Sequence, residues 1–248
     1  MEQARLYVIL GSHACRTGML LLEHKGVDYR RVEVPTGFHP LALPLLGFKG
    51  NREPLRHLEG RRPFVLAAAD RMGTVPALRM GGRRVMTNRA IARLLDAQRP
   101  DPPLFPADPD RRAAVEEAEQ WGDEVLQMAA RRIVLASALH NGGADGRLGP
   151  LLYHHDTLRR GIVEFVRRFA FDARPKSAAR LCAQAPALLD RVDAWIADGV
   201  LGGEHLNSAD YMIVPSLALL SYAEPMRPQL EGRPLLALLD RVLPEPAT

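Results

Sequence analysis

Three side chains that could do chemistry lie close together in the stretch "LGSHACRTG" (residues 10–18): Ser12, His13 and Cys15. A serine hydroxyl can act as a nucleophile or donate a hydrogen bond to a thiolate, and a cysteine can attack or exchange disulfides. An imidazole can move a proton near neutral pH. A Ser12–His13 dyad is not expected, because adjacent loop side chains rarely face each other and no acidic third member is evident.

Each of the three side chains also has a purely structural interpretation. Ser12 precedes a helical pattern and could simply be its N-cap. Cys15 falls in the first turn, where the helix dipole lowers a thiol pKa, but the side chain could equally pack beneath the helix. Without a second cysteine at position 12, Cys15 cannot run a dithiol cycle. His13 is expected to be an exposed loop residue beside the site.

The elements that must position these residues form a strand–helix–strand unit, followed by an irregular segment, a hairpin and a helix. Residues 35–73 contain many prolines and glycines among large apolar residues, so we expect irregular structure there with one or two short helices. This order of elements is that of the thioredoxin-like fold. The predicted strands are 5–11, 28–34, 75–80 and 83–86, and the predicted helices are 15–26 and 87–98.

A second unit follows a stiff linker. "RPDPPLFPADPD" (99–110) has five prolines in twelve residues, which indicates a domain boundary. Every later pattern is helical, so the sequence predicts an α/β domain over 1–98, a linker over 99–109 and an all-helical domain over 110–248. The predicted helices are 110–140 (continuous or kinked), 151–171, 177–184, 186–199, 207–223 and 234–243.

Composition narrows the function classes. The 248 residues are 47% apolar and 25% charged, and no apolar run approaches the roughly 18–20 residues of a membrane span, so we expect a cytoplasmic protein without a membrane partner. The two cysteines make no disulfide framework. Metal binding is not expected, the nearest candidate being "HHD" (154–156).

Charge is unevenly distributed along the chain. Residues 1–100 carry 17 Lys and Arg against 8 Asp and Glu, whereas residues 101–248 carry 16 against 21. A basic first half can attract an anionic small molecule. Nucleic acid is not an expected partner, because the arginines are scattered and not interleaved with aromatic residues.

Three motifs give the chain a resemblance to the cytosolic glutathione S-transferases of the serine and cysteine types. "SHACRTGMLLLEHKGVDY" (12–29) resembles the segment after the family's first strand, with Ser12 at the catalytic position. "TVPAL" (74–78) resembles the turn in which a cis proline follows the residue that pairs with the cysteinyl part of glutathione. "NSADYMIVP" (207–215) resembles the capping motif of a core helix, with Asn207 and Asp210 in structural capping roles.

The resemblance implies a bacterial transferase that activates glutathione, or another low-molecular-weight thiol, for conjugation to a small electrophile. His13, Val75, Pro76, Thr87 and Asn88 would contact the thiol. Thr87-Asn88 replaces the family's Glu/Gln-Ser pair, so the thiol need not be glutathione. The alternatives are a non-catalytic binding or stress-associated module of the same fold and a thiol exchanger based on Cys15.

Further expectations concern the surroundings of the site. The electrophile would bind between the two domains, where Trp121, Val125 or Met128 of the first long helix could contact it, although such residues also form ordinary core. The long connection around residues 38–64 is expected over or beside the cleft, because a proline-rich apolar loop of this length usually serves a function. By resemblance the protein would be a homodimer, and the opposite charges of its two halves suit a head-to-tail contact.

Overall fold

The computed structural model of the chain describes residues 3–9, 11–35, 37–49, 72–140, 173 and 175–244. The predicted helix 151–171, the "HHD" segment and residues 50–64 of the long connection lie outside them. The N-terminal elements are β1 (Ala4–Val8), α1 (His13–His24), β2 (Tyr29–Glu33), α2 (His39–Leu45), β3 (Ala77–Met80), β4 (Arg83–Met86) and α3 (Asn88–Gln98). The later ones are α4 (Pro109–Trp121), a π-helical turn (Gly122–Leu126), α5 (Gln127–His140), α6 (Pro175–Ala197), α7 (Ser208–Ser221), a 3₁₀ turn (Glu224–Met226), α8 (Arg227–Leu230) and α9 (Pro234–Val242).

The four strands form one mixed sheet in the order β2-β1-β3-β4. β1 and β2 are parallel, with Ala4 opposite Tyr29, as the strand–helix–strand pattern predicts. β3 runs antiparallel to both β1 and β4, and Leu6 lies opposite Leu78 in the buried centre. β2 and β4 are therefore the edges of the sheet, and the thioredoxin-like fold of the N-terminal part is confirmed.

Helix α1 begins two residues earlier than the sequence predicts, because Ser12 rather than a later residue is its N-cap. It ends at His24, and Gly26 follows with a φ of 57°, a left-handed conformation that favours glycine. Leu21 and Leu22, both fully buried, face the core. The cap thus fixes where the chemically interesting residues sit relative to the helix axis.

The end of α1 is fastened to the segment that joins the two halves of the chain. Lys25 is 2% exposed, and its Nζ donates to Asp96 Oδ1 at 2.8 Å and to the Arg99 carbonyl at 2.7 Å, as well as to the Pro102 carbonyl. Asp96 Oδ1 also accepts the N–H of Leu104 at 2.8 Å. A buried ammonium therefore holds α1, α3 and the proline-rich segment together.

The long helical pattern of residues 110–140 is continuous but not regular. α4 begins at Pro109 after the Asp108 N-cap, passes through a π-helical turn at Gly122–Leu126 and continues as α5. Gly122 is required at this place, since a Cβ there would lie 2.9 Å from Ile213 Cγ1 of α7. A π turn inserts one residue, which rotates the face of α5 relative to α4.

The prediction of separate helices over 177–184 and 186–199 is wrong. α6 runs unbroken from Pro175 to Ala197 with Pro186 inside it. Proline at this position cannot donate to the carbonyl four residues earlier, that of Cys182. Gln229 Nε2 lies 3.5 Å from that carbonyl and supplies a replacement donor, so tertiary packing tolerates the proline.

The remaining helices complete a core shared with the sheet. The predicted capping box of α7 is present: the Asn207 side chain accepts from Ala209 N–H at 2.9 Å, and Asp210 accepts the Asn207 N–H at 2.8 Å. All strands in the described part of the chain precede α3. None of the helices described is both long and apolar enough to cross a membrane.

Candidate active site

Ser12 has the geometry of a helix cap with a proton to spare. Its backbone is extended, its Oγ accepts the N–H of Cys15 at 3.3 Å, and its carbonyl accepts the N–H of Arg16 at 3.1 Å. Because Oγ serves as the acceptor in the cap, the hydroxyl hydrogen stays available to a ligand atom. The structural and the chemical interpretation of Ser12 are therefore compatible.

Cys15 is buried, with 1% of its surface exposed. Burial raises the pKa of its thiol, although the hydrogen bond with Ser12 and the charge of Arg131 act in the opposite direction. Desolvation thus outweighs the favourable helix dipole that the sequence suggests. Both Cys15 and Cys182 are free thiols.

His13 is not the exposed loop residue that the sequence suggests. It is the first residue of α1, it is half-buried, and its Nε2 has no hydrogen-bond partner among the described residues. Burial, and then the positive charge of Arg131, hold its pKa well below the usual value, while a hydrogen bond with the Gln127 backbone acts the other way. His13 is therefore neutral at pH 7 and faces α5.

The predicted "TVPAL" turn packs directly on α1. The Val75–Pro76 peptide bond is cis, as the resemblance implies, and Pro76 is buried. A Cβ on Gly18 would lie 3.2 Å from Pro76 Cβ, so glycine is what allows the helix to approach the proline this closely. The Pro76 carbonyl accepts the N–H of Thr87 at 3.2 Å, which joins this turn to the start of α3.

Thr87 is held in an unfavourable backbone conformation. Its φ is 75°, a value that a β-branched residue rarely adopts, and it is the N-cap of α3, with Oγ1 accepting the N–H of Ala90 at 3.3 Å. Residues held in such regions cluster at functional sites. This strain is a marker of the site that the sequence does not reveal.

Asn88 is the first residue of α3 and not its cap. It is 3% exposed, and its Nδ2 donates to the Ala14 carbonyl in the first turn of α1 at 2.9 Å. Its Oδ1 is buried without a hydrogen-bond partner among the described residues. Asn88 thus brings the start of α3 against the start of α1, next to Ser12.

A second group of polar residues lies across from Ser12 and was missed by sequence reasoning. The charge of Arg131 on α5 lowers the pKa of both His13 and His39, and burial together with this charge brings the pKa of His39 to about 4. Arg131 Nη1 lies 3.8 Å from Met128 Sδ on the same helix. Nothing in the spacing of residues 110–140 marks Arg131, because the π turn decides which side of α5 faces α1.

The three residues predicted to contact the electrophile are all buried. Trp121 is 3% exposed, and its ring lies edge-on to Trp195 of α6 with centroids 5.2 Å apart, so it belongs to the core. Val125 and Met128 are 9% and 5% exposed. Met128 lies beside Arg131 and is the best placed of the three to reach the space in front of His13.

The described residues contain no group of three or more His, Cys, Asp or Glu side chains arranged to hold a metal ion.

Comparison with known proteins supports the architecture. Residues 6–103 match the N-terminal domain family of the glutathione S-transferases. A GST-like protein from Pseudomonas syringae is 20% identical, with a TM-score of 0.57 over 98% of this chain and 66% of that chain. No curated protein matches the sequence significantly.

Two further solved structures are similar along nearly their whole length. A glutathione S-transferase of Ceriporiopsis subvermispora, in complex with glutathione, is 18% identical, with a TM-score of 0.61 and coverage of 98% and 97%. A glutathione transferase from Phanerochaete chrysosporium is 16% identical, with a TM-score of 0.66 and the same coverage. The chain therefore has the glutathione S-transferase fold, and residues 6–103 supply that family's N-terminal domain.

Proposed function

We propose that this protein is a transferase of the glutathione S-transferase superfamily, which activates a bound low-molecular-weight thiol for attack on a small electrophile. The observation that carries the proposal is Ser12, whose oxygen caps α1 while its hydrogen is available to a ligand. The cis Val75–Pro76 turn and the strained Thr87 lie against the same end of α1 and support a thiol site there. Glutathione is the first candidate, since a relative of the same fold is known in complex with it.

The chemistry asked of Ser12 is modest. A free thiol has a pKa of about 8.5, so only a few per cent is thiolate at neutral pH. Lowering that pKa by about two units needs ~2.7 kcal/mol of extra stabilisation of the anion. One hydrogen bond to a charged sulfur contributes ~1.5–3 kcal/mol, and the N-terminus of α1 adds ~0.3–1 kcal/mol, which together suffice.

The test is a pH–rate profile of three single variants with whichever thiol binds. Ser12→Ala is expected to raise the pKa of the bound thiol and to slow conjugation roughly 10- to 100-fold, with thiol affinity nearly unchanged. Cys15→Ser and His13→Ala should have much smaller effects on the thiol pKa. If Cys15→Ser abolishes turnover and Ser12→Ala does not, the protein is instead a thiol exchanger based on Cys15, which its burial disfavours.

A non-catalytic binding module of the same fold is the second candidate, and Thr87-Asn88 is the feature that favours it. Thr87 lacks the charge of the family's glutamate, and the Asn88 amide is already committed to the Ala14 carbonyl. Thermal shift with a panel of thiols, glutathione included, separates the candidates. A thiol at 100 times its dissociation constant should stabilise the protein by ~2.7 kcal/mol, and no response to any thiol would contradict the transferase proposal.

Assembly, location and domain limits complete the proposal. We expect a homodimer, because α2 and its flanks expose large apolar side chains, with Leu45 89% and Leu41 58% exposed. Light scattering should give about twice the chain mass of 27.4 kDa, and a value near one chain mass at micromolar concentration would count against the dimer. The two free cysteines suit the cytoplasm, and the proposed domains remain 1–98 and 110–248 with a linker at 99–109.

A further inference from the structure

The space between α1, α2 and α5 holds two buried imidazole nitrogens without partners. His13 Nε2 and His39 Nδ1 are both buried, and neither makes a hydrogen bond among the described residues. An unmet buried polar atom costs ~1–3 kcal/mol, so two of them beside one another point to a ligand that completes the site. The residue that starts α1 and the residue that starts α2 thus contribute to one pocket.

Helix α5 contributes a permanent cation to the same space. The hydrogen bond of His13 with the Gln127 backbone places this part of α5 against the start of α1. Arg131, one helical turn after Gln127, lies on the same face of α5, close enough for its charge to act on His13, His39 and Cys15. The guanidinium keeps its charge at any physiological pH.

The charges that act on the two imidazoles have one sign. Among the described residues, the only charged side chain that shifts the pKa of His13 or of His39 is Arg131, and both imidazoles are neutral at pH 7. A neutral imidazole donates from the ring nitrogen that carries its proton. The pocket therefore offers a cation and neutral donors, which suit an anionic oxygen and exclude a cationic group.

We infer that the electrophile carries a carboxylate, which binds between Arg131 on α5 and the imidazoles of His13 and His39. This inference rests on the proposed function, and it names the class of its second substrate. The carboxylate belongs to the electrophile rather than to the thiol, because the elements assigned to the thiol, Val75–Pro76 and the start of α3, lie on the other side of α1 from α5. Met128 beside Arg131 supplies an apolar surface for the body of the electrophile.

The experiment compares 4-chloro-3-nitrobenzoate with 4-chloro-3-nitrobenzamide, two aryl chlorides of the same shape that differ by one negative charge. We expect the wild type to favour the benzoate at least tenfold in kcat/KM after correction for the uncatalysed rates. Arg131→Met should lower the ratio of the two kcat/KM values, benzoate over benzamide, at least tenfold, mainly through KM for the benzoate. Arg131→Lys should recover part of the ratio, because it restores the charge without the planar fork.

The matched control is Arg132→Met, which removes the same charge from the adjacent position of the same helix and should leave the ratio unchanged. Equal rates for the two electrophiles in the wild type, or an equal loss of both in Arg131→Met, would overturn the inference. A ratio unaltered by Arg131→Met, with weakened glutathione binding relative to its glycyl ethyl ester, would assign the anion site to the thiol and overturn it too.

Binding without thiol keeps the two proposals separable. Calorimetry should show that the benzoate binds the wild type at least tenfold more tightly than the benzamide and that Arg131→Met abolishes this preference. If neither compound is turned over with any thiol but the Arg131-dependent preference persists, the transferase proposal fails and the anion site stands. If turnover occurs without any preference for the benzoate, the anion site fails and the transferase proposal stands.

Discussion

The buried lysine at the end of α1 provides a quantitative test of what holds the two halves of the chain together. Lys25→Met keeps the length and most of the volume of the side chain but removes the ammonium. The carbonyls of Arg99 and Pro102 then lose their donor, and Asp96, with 19% of its side chain exposed, loses its cation. Breaking a buried pair on one side costs ~3–5 kcal/mol.

The lower end of that range applies here. Asp96 keeps the Leu104 N–H at 2.8 Å as a partner, so its carboxylate is not left entirely without a hydrogen bond. We therefore expect Lys25→Met to lower the free energy of unfolding by about 3 kcal/mol. Lys176→Met, an exposed lysine at the start of α6, is the matched control and should change it by less than about 0.5 kcal/mol.

The assay is urea unfolding followed both by tryptophan fluorescence and by far-ultraviolet circular dichroism, since coincident transitions justify a two-state treatment. The double variant Lys25→Met/Asp96→Asn should be more stable than the sum of the single effects predicts, by roughly 1 kcal/mol or more. A loss below about 1 kcal/mol in Lys25→Met, or strict additivity in the double variant, would refute the assigned role of the pair.

Two further predictions concern the helical packing and the imidazoles. Gly122→Ala should lower stability by about 1–3 kcal/mol, because its Cβ would lie 2.9 Å from Ile213; Gly203→Ala, whose nearest neighbouring atom would be 3.8 Å away, should not, and equal losses in urea unfolding would contradict this. His39 has a folded-state pKa of about 4, below its unfolded value of about 6.5, so its contribution to stability is present above pH 6.5 and is lost as the pH falls towards 4. Comparing wild type with His39→Gln over that range by thermal unfolding should show a difference of up to about 3 kcal/mol, and parallel profiles would rule out the assigned pKa.

Much of the N-terminal half follows from local patterns in the sequence. The alternation in residues 28–34 and the glycine pair at 81–82 predict β2 and the β3–β4 hairpin, and both are present. The boundaries differ by a few residues where a side-chain cap decides, as at Ser12. These features are predictable because each depends on residues that are neighbours in the chain.

Features that depend on distant partners were not predictable. Pro186 breaks a helix in any local reading, yet Gln229, from the other end of the C-terminal half, supplies a donor to the exposed carbonyl. The π turn after Trp121 follows from the contact between Gly122 and α7, which no periodicity within residues 110–140 reveals.

The candidate site shows the same division. Ser12 and the cis Val75–Pro76 turn could be found from their motifs, and their placement against α1 agrees with that interpretation. Arg131 could not, because an arginine in an amphipathic helix normally lies in solvent, and only the rotation of α5 relative to α4 turns it towards His13. The pKa shift of His13 likewise depends on which residues enclose it.

The arginines on the two edge strands give part of the positive charge of the N-terminal half a role unrelated to ligands. Arg30 and Arg31 on β2 and Arg83 and Arg84 on β4 are exposed, so guanidinium groups line both edges of the sheet. During synthesis this sheet leaves the ribosome before the helices of the C-terminal half exist to cover it, and an open strand edge is a template for pairing with another chain. Like charges on both edges disfavour the approach of a second nascent copy, and the basic first half thereby protects its own folding from aggregation.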